Sequence, residues 1–189
     1  MTSQALSGGF ADAPIQSARA FRAALEAMAR PGRIQQVEGV APPAPLSVAA
    51  GVLLLTLCDR TTPLHLAPGH DAPEIRDWIG FHTGAPLVTP GAAAFALGRW
   101  EALQPVTRFR IGQPDYPDRS ATLIVEMDEL TNDGAVLTGP GIEAMARLSL
   151  PELAAFRANR DIFPLGYDAF LTSGDRIAGL PRSTRVEAG

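Results

Sequence analysis

The chain has 189 residues and a formal net charge of −4; 46% of its residues are hydrophobic and 19% are charged. This length predicts a single domain, residues 1–189, whose core needs no disulfide, and the one cysteine excludes an internal disulfide framework. A mildly acidic chain without a basic stripe is not expected to bind nucleic acid, and no apolar run approaches the ~20 residues of a membrane span.

The N-terminal part predicts a helix and no export signal. Residues 1–9 lack a basic n-region and an apolar h-region, so we expect no signal peptide and a cytoplasmic location. A helix begins at Asp12-Ala13-Pro14, with Asp12 as its N-cap. The spacing of three or four residues predicts that one apolar stripe faces the core: Ala18, Phe21, Leu25 and Met28.

Two further helices follow before the middle of the chain. Residues 47–58 are apolar on nearly every face, which indicates a helix buried either in the core or in a partner. After a short strand candidate at residues 64–66, Asp71-Ala72-Pro73 caps a third helix that runs to about His82, and Gly84 closes it.

The strand candidates are short and dispersed. Residues 121–127 form the strongest one, and the apolar run 123–125 predicts a strand buried on both faces. Other strands are predicted at 92–97, 135–137, 169–171 and 184–186, a helical turn at 100–103, and a helix with Pro at N1 at 151–160. Pro114 and Pro117 predict a loop over 113–119. The loose alternation indicates an α/β fold with a mixed sheet.

A glycine-rich segment at 139–144 matches the pattern G-x-G-x-x-A after a short strand. That pattern is a weak dinucleotide fingerprint, which would place a pyrophosphate on free N–H groups at a helix start. Only 47 residues follow Ile142, too few for the rest of a doubly wound sheet, and Pro140 removes one N–H donor. A plain tight turn is therefore the favoured interpretation.

The segment Pro181-Arg182-Ser183-Thr184-Arg185 places two guanidiniums and two hydroxyls within four residues. Guanidinium forks match phosphate or phosphonate oxygens, so this segment is a candidate anion site. Its proposed residues are Gly139, Gly141, Arg182, Ser183 and Arg185. The alternatives are a C-terminal strand with surface ion pairs, or an Arg182 that anchors the fold through a buried carboxylate such as Asp168 or Asp175.

The sequence contains no recognisable set of catalytic residues. The histidines at 65, 70 and 82 are isolated, so no metal site is expected. Cys58 ends an apolar helix and is interpreted as an inert core thiol. Solvation accounts for the carboxylates Asp115, Asp118, Glu126, Asp128 and Glu129 without an acid–base role. All 16 basic residues are arginines, and without lysine no Schiff base with pyridoxal phosphate can form.

Four turn-forming strings, in this order, resemble one family. They are MARPGRI at 28–34, LTGPGI at 137–142, FPLGYD at 163–168 and LPRSTR at 180–185. With them the chain resembles the PhnH family, the H subunit of the bacterial carbon–phosphorus lyase system, over residues 9–185.

The resemblance implies a role in phosphonate catabolism. The family belongs to an assembly with subunits G, I and J that displaces adenine from ATP and forms a ribose 1-alkylphosphonate 5-triphosphate. Its fold is similar to the large domain of pyridoxal-phosphate-dependent transferases, a three-layer α/β sandwich around a mixed sheet, without that cofactor. A homodimer is implied for the isolated subunit, and no catalytic residue is carried over. The chain is therefore expected either to dock as a structural subunit or to bind a phosphorylated ligand; a stand-alone hydrolase ranks far behind.

Overall fold

The computed structural model describes residues 7–189, so the expectation of no signal peptide falls mostly on residues 1–6, outside the described part. Within residues 7–189 the helices are α1 (Ala13–Ala29), α2 (Val48–Leu57), α3 (Pro73–His82), α4 (Trp100–Leu103) and α5 (Leu153–Asp161). None of these described helices has the length and apolar character that crossing a bilayer requires.

The described strands are β1 (Gln35–Gln36), β2 (Leu64–Leu66), β3 (Phe95–Arg99), β4 (Ile111–Gln113), β5 (Tyr116–Ser120), β6 (Thr122–Glu126), β7 (Ala135–Thr138), β8 (Ala146–Leu148), β9 (Asp168–Ser173), β10 (Arg176–Leu180) and β11 (Arg185–Glu187). Over residues 7–189 they form a central sheet in the order β1-β10-β9-β6-β3-β2, a second sheet in the order β11-β7-β8, and the hairpin β4-β5.

The central sheet is mixed, as the alternation of helices and strands predicted. Strands β2, β3, β6 and β9 run parallel, whereas β10 and β1 are antiparallel to their neighbours. The register places Leu97, Ile124 and Phe170 side by side across three parallel strands. The carboxyl ends of the four parallel strands therefore meet at one edge of the sheet.

Both faces of the central sheet are covered, which confirms the prediction for β6. Ile124 packs into a cluster with residues of α1, α2 and α3, whereas Leu123 and Val125 pack into a second cluster with α4, α5 and the β11-β7-β8 sheet. Successive side chains of a strand point to opposite faces, so an uninterrupted apolar run is what a strand covered on both sides requires.

Helix α1 begins where predicted, with Asp12 as its N-cap, but its buried face is not the predicted one. Phe21 and Leu25 are more than half exposed, while Ala20, Ala24 and Ala27 are buried. The reason lies in β10, where a Cβ on Gly179 would come within 2.6 Å of the Ala27 carbonyl. The helix backbone lies so close to the sheet that only small side chains fit between them.

Helices α2 and α3 follow their predictions with one change. Residues 49–54 of α2 are buried in the core of this chain. Most of this apolar helix is therefore covered by the protein's own core and not by a partner. The N-cap of α3 is Ala72, which offers no side-chain cap, while Asp71 pairs with Arg76 instead. Gly84 follows the C-cap with φ +68°, as predicted for a C′ glycine.

The predicted loop at 113–119 is a hairpin, so that prediction was wrong. Pro114 lies between the strands in the turn, and Pro117 stands where the β4-β5 register is irregular, next to Gly112 with φ +84°. Neither proline has to donate to a regular ladder at these positions. Helix α5 begins at Leu153 with Glu152 as N-cap, so Pro151 precedes the helix rather than starting it.

Strand β3 begins three residues later than predicted, because Pro90–Ala92 forms a 3-10 turn. The helical turn at Trp100–Leu103 is confirmed, as are the strands that became β2, β7, β9 and β11. Besides the hairpin strands β4 and β5, three described strands had no predicted counterpart: β1, β8 and β10.

Candidate functional site

A polar cleft of about 440 Å³ opens at the edge where the parallel strands end. In open α/β sheets, ligands bind outside the carboxyl ends of parallel strands. The segment after β2 contributes His70, and the ends of β3, β6 and β9 contribute further polar residues. Its charged and hydroxyl-bearing lining residues are Ser47, His70, Arg99, Glu101, Glu126, Asp128 and Ser173.

Glu126 is a buried carboxylate that holds the N-terminus of α2. One of its oxygens accepts the Ser47 N–H at 2.8 Å, and the other accepts the Thr172 hydroxyl at 2.9 Å. Ser47 in turn caps α2, since its Oγ accepts the Ala50 N–H at 3.0 Å. In a capping box, the glutamate at position N3 of the helix accepts the backbone N–H of the N-cap residue. Here Glu126, at the end of strand β6, accepts that N–H from Ser47 instead. The interpretation of Glu126 as a solvated carboxylate is wrong.

His70 lies against this carboxylate. Its Nε2 is 3.9 Å from Glu126 Oε1, and its Nδ1 is buried without a hydrogen-bond partner among the described residues. Burial lowers the pKa of His70, Glu126 partly opposes that shift, and Arg99 adds to it. The imidazole is therefore held in its neutral form at neutral pH.

The mouth of the cleft carries an exposed ion pair. Arg99 Nη2 lies 2.6 Å from Asp128 Oδ1, and this guanidinium lowers the pKa of Asp128. Glu101, Glu126 and Asp128 outnumber the single guanidinium, so the cleft suits cationic or hydroxyl-bearing groups better than a phosphate. No group of residues with metal-ligand geometry occurs within residues 7–189.

The hydroxyls of this cleft are already engaged. Ser47 Oγ caps α2, and Ser173 Oγ donates to the Asp128 carbonyl at 3.0 Å. Neither is hydrogen-bonded to His70, so the cleft has no activated nucleophile of the serine–histidine kind. The cleft can bind hydrogen-bonding groups. This cleft was not predicted from the sequence. It could have been suspected because His70 and Glu126 come at or just after the ends of predicted strands.

The glycine-rich segment forms a tight turn, which confirms the favoured interpretation. Ile142 N–H donates to Gly139 O at 3.2 Å, Gly141 has φ +81°, and strand β8 follows instead of a helix. The dinucleotide alternative fails because no helix N-terminus stands at this turn. A Cβ on Gly141 would collide with the Ala29 carbonyl oxygen, so the turn packs against the end of α1.

Arg182 makes its main contacts inside the protein. Its Nε donates to Asp168 Oδ1 at 3.1 Å, its Nη2 lies 2.6 Å from Asp168 Oδ2, and its Nη1 donates to Pro117 O at 2.8 Å. Nη2 also donates to Ser120 Oγ. The side chain is 12% exposed. This geometry agrees with the alternative in which Arg182 anchors the fold, and the carboxylate is that of Asp168.

The other residues of the predicted anion site are partly brought together. Residues 181–184 form a turn, in which the Thr184 N–H donates to Pro181 O at 2.9 Å. Gly139 lies against the backbone of Ser183, and Arg185 opposes Thr138 in the β11-β7 pair. Ser183 is half-buried and Arg185 is exposed, whereas Arg182 contacts Asp168. Anion binding by these residues stays a prediction.

A second surface feature is the exposed apolar face of α1. Phe21, Leu25 and Met28 line a groove of about 370 Å³ together with Leu57 and Pro181. Phe21 is 53% exposed and Leu25 is 56% exposed. Neighbouring exposed apolar side chains of this kind are typical of protein–protein contact surfaces.

Comparison with known proteins agrees with the turn-forming strings. The family described as "Bacterial phosphonate metabolism protein (PhnH)" matches residues 8–187. The chain is 40% identical, over 98% of its own length and 97% of the relative's, to the alpha-D-ribose 1-methylphosphonate 5-triphosphate synthase subunit PhnH of Rhizobium meliloti (strain 1021). It is 29% identical, over 88% of its length and 84% of the relative's, to HtxG of Stutzerimonas stutzeri, named as a proposed C-P lyase subunit protein.

Proposed function

The chain belongs to the PhnH family of bacterial phosphonate metabolism proteins, and we propose that it acts as the H subunit of a carbon–phosphorus lyase assembly. In that role it supports the synthesis of alpha-D-ribose 1-methylphosphonate 5-triphosphate, the product in the name of its Rhizobium relative. The observation that carries this proposal is the near full-length match to that subunit, which covers every described element.

We propose that the fold is the three-layer sandwich of pyridoxal-phosphate-dependent transferases without the cofactor. The covering of the central sheet on both faces supports the layering. The sequence contains no lysine, so the aldimine of those transferases has no residue on which to form. We also propose a single domain, which is supported by the pairing of strands from both halves of the sequence in one sheet.

We propose that this subunit positions the assembly rather than performing its chemistry. Glu126 and the cleft hydroxyls are engaged in internal hydrogen bonds that hold α2 and the sheet edge. Their geometry favours a structural role over catalysis. The apolar face of α1 is the surface that supports docking, to a second copy in the isolated homodimer or to subunits G, I and J. The site of action is the cytoplasm.

The ligand-binding alternative is kept as a second proposal. The turn at Gly139 and the backbone of residues 183–185 lie side by side, and Arg185 is exposed next to them. A phosphorylated ligand at this point would meet Ser183 and Arg185, while Arg182 would contribute through the shape of the turn and not through its guanidinium.

Growth and co-purification test the subunit role. A strain that lacks its own H subunit should regain growth on methylphosphonate as the phosphorus source when this chain is supplied with its cognate subunits. The tagged chain should also retain subunits G, I and J through gel filtration. Growth without this chain, or a chain that elutes free of all three subunits, would refute the proposal.

A further inference from the structure

A cleft of about 630 Å³ between α5 and β11 collects three arginines that the proposed subunit role does not use. Helix α5 contributes Arg157 and Arg160, and β11 contributes Arg185. Asp161 and Glu187 lie on the same lining. The overall charge of the chain is −4, so a concentration of guanidiniums is unusual on this molecule.

The two walls of the cleft are fixed to each other. Arg157 and Arg160 are three residues apart and share one side of α5, whose Phe156 and Asn159 are buried. In β11, Val186 is buried, so Arg185 and Glu187 point outward. Arg157 Nε donates to the Val186 carbonyl at 2.9 Å and joins helix to strand. The arginines are thus held on ordered elements rather than on a loop.

The lining of the cleft has a net positive charge, with three guanidiniums against the carboxylates of Asp161 and Glu187. Over residues 7–189, ion pairs with carboxylates involve Arg30, Arg76, Arg99 and Arg182, and none of the three cleft arginines. Arg160 Nε is buried without an acceptor among the described residues, while its guanidinium carbon lies 5.0 Å from the Phe163 ring centre. The buried Nε and the Phe163 ring hold this guanidinium in place at the edge of the cleft.

We propose that the α5–β11 cleft binds a small anion with several phosphoryl groups. A guanidinium binds two phosphate oxygens at once, so three guanidiniums provide more donors than a single phosphate can use and suit a ligand with several phosphoryl groups. The volume lies in the range of small-ligand pockets, roughly 300–1,000 Å³. The C-terminal end of α5 would repel an anion through its helix dipole, which amounts to only about half a negative charge. Arg160, in the last turn of α5, offsets that charge. This site goes beyond the subunit role and does not depend on it.

Calorimetric titration of the purified chain with inorganic tripolyphosphate at low ionic strength tests this inference. Wild-type protein should bind tripolyphosphate more tightly than inorganic phosphate. Arg185→Ala and Arg160→Ala should each lower the affinity roughly tenfold or more, because each removes a charge-assisted pair. Arg185→Lys should retain part of the affinity, since it keeps the charge but not the fork. Arg22→Ala, an exposed arginine on α1, is the matched control and should bind normally.

The same titration can overturn the inference. The inference is wrong if the wild type does not bind tripolyphosphate at millimolar concentration. It is also wrong if Arg22→Ala and Arg185→Ala lose the same amount of tripolyphosphate affinity. Thermal melting establishes that each variant is folded. Arg185 also borders the turn at Gly139, so its variant does not separate the two anion sites by itself, and Arg160→Lys replaces Arg160→Ala if the latter is unstable. A parallel titration with ATP shows whether the nucleoside is also bound. Equal affinities for ATP and tripolyphosphate indicate contacts to the phosphates alone, and a higher affinity for ATP indicates added contacts to the nucleoside. Both results support the site. Co-purification with other subunits is a separate readout.

Discussion

Arg182 and Asp168 are joined through both carboxylate oxygens, with Nη2 2.6 Å from Oδ2 and Nε 3.1 Å from Oδ1. The Arg182 backbone N–H also donates to Oδ1 at 2.9 Å. The pair connects the turn before β11 to the start of β9, and through Pro117 and Ser120 it also fixes β5. Residues distant in sequence are thus held by one guanidinium.

Removing that guanidinium should destabilise the fold. Arg182→Ala leaves Asp168 partly buried without its partner, and we expect the free energy of unfolding to fall by about 3 kcal/mol. Urea denaturation measures the loss. Arg22→Ala, at an exposed position, should stay within about ±0.5 kcal/mol of the wild type. An unchanged unfolding midpoint in Arg182→Ala, together with a loss of phosphate affinity, would instead favour the anion-site alternative.

Glu126 should be a structural carboxylate. Glu126→Ala removes the acceptor of the Ser47 N–H and of the Thr172 hydroxyl, and should lower the free energy of unfolding by about 2–3 kcal/mol. Glu129→Ala changes an exposed carboxylate three residues away and should have little effect. Chemical denaturation of both variants makes the comparison. Equal stabilities would show that the α2 cap does not depend on Glu126.

Stability should decline in mild acid because of His70. Its folded-state pKa lies below the ordinary value of 6.5, so below that pH the unfolded chain takes up the proton more readily. The free energy of unfolding should therefore fall as pH drops from 6.5 towards the folded-state pKa, by at most about 1.4 kcal/mol per pH unit. His70→Gln should lack this component. A variant with the wild-type pH slope would contradict the assignment.

Gly179 should tolerate no side chain. A Cβ at this position would meet the Ala27 backbone at 2.6 Å, so Gly179→Ala must push α1 away from β10. Overpacking of this kind costs about 1–3 kcal/mol. Gly80 in α3 is the matched control, since a Cβ there meets nothing within 4 Å. Gly80→Ala should stabilise by about 0.5–1 kcal/mol through helix propensity. Thermal melts that rank the two variants in the opposite order would refute the close approach.

The exposed face of α1 should carry subunit association. In the proposed homodimer this face would form the interface, so Phe21→Asp combined with Leu25→Asp should give a monomer where the wild type is a dimer, as measured by light scattering after gel filtration. Both side chains are more than half exposed in the protomer, so each protomer should keep its fold, as circular dichroism would show. Its melting temperature should fall only by the stabilisation that dimer formation provides. Arg22→Asp, on the same helix between them, controls for the added negative charge. A double variant that remains dimeric would place the interface elsewhere.

Much of the secondary structure was predictable because its signals are local. Helices α1 and α3 follow from Asp12, Pro73 and Gly84, and β6 follows from an apolar run without polar alternation. The family was legible in the same way, because the four turn-forming strings are contiguous in sequence. Strands β1 and β8 were missed because they are only two and three residues long, and β10 was missed although it pairs with β1 on one side and β9 on the other.

The start of α1, the end of α3, the strongest strand, the lack of any lysine for an aldimine and the family can all be read from the sequence. Tertiary structure alone decided which face of α1 is buried, because periodicity locates an apolar stripe but cannot show that Gly179 brings the backbone too close for Phe21 and Leu25. It also decided the environments of Glu126 and Arg182. Ser47 and Thr172 reach Glu126, and Asp168 reaches Arg182, only once distant segments are folded together. Burial and charge pairing depend on distances in space, and spacing along the chain does not specify them.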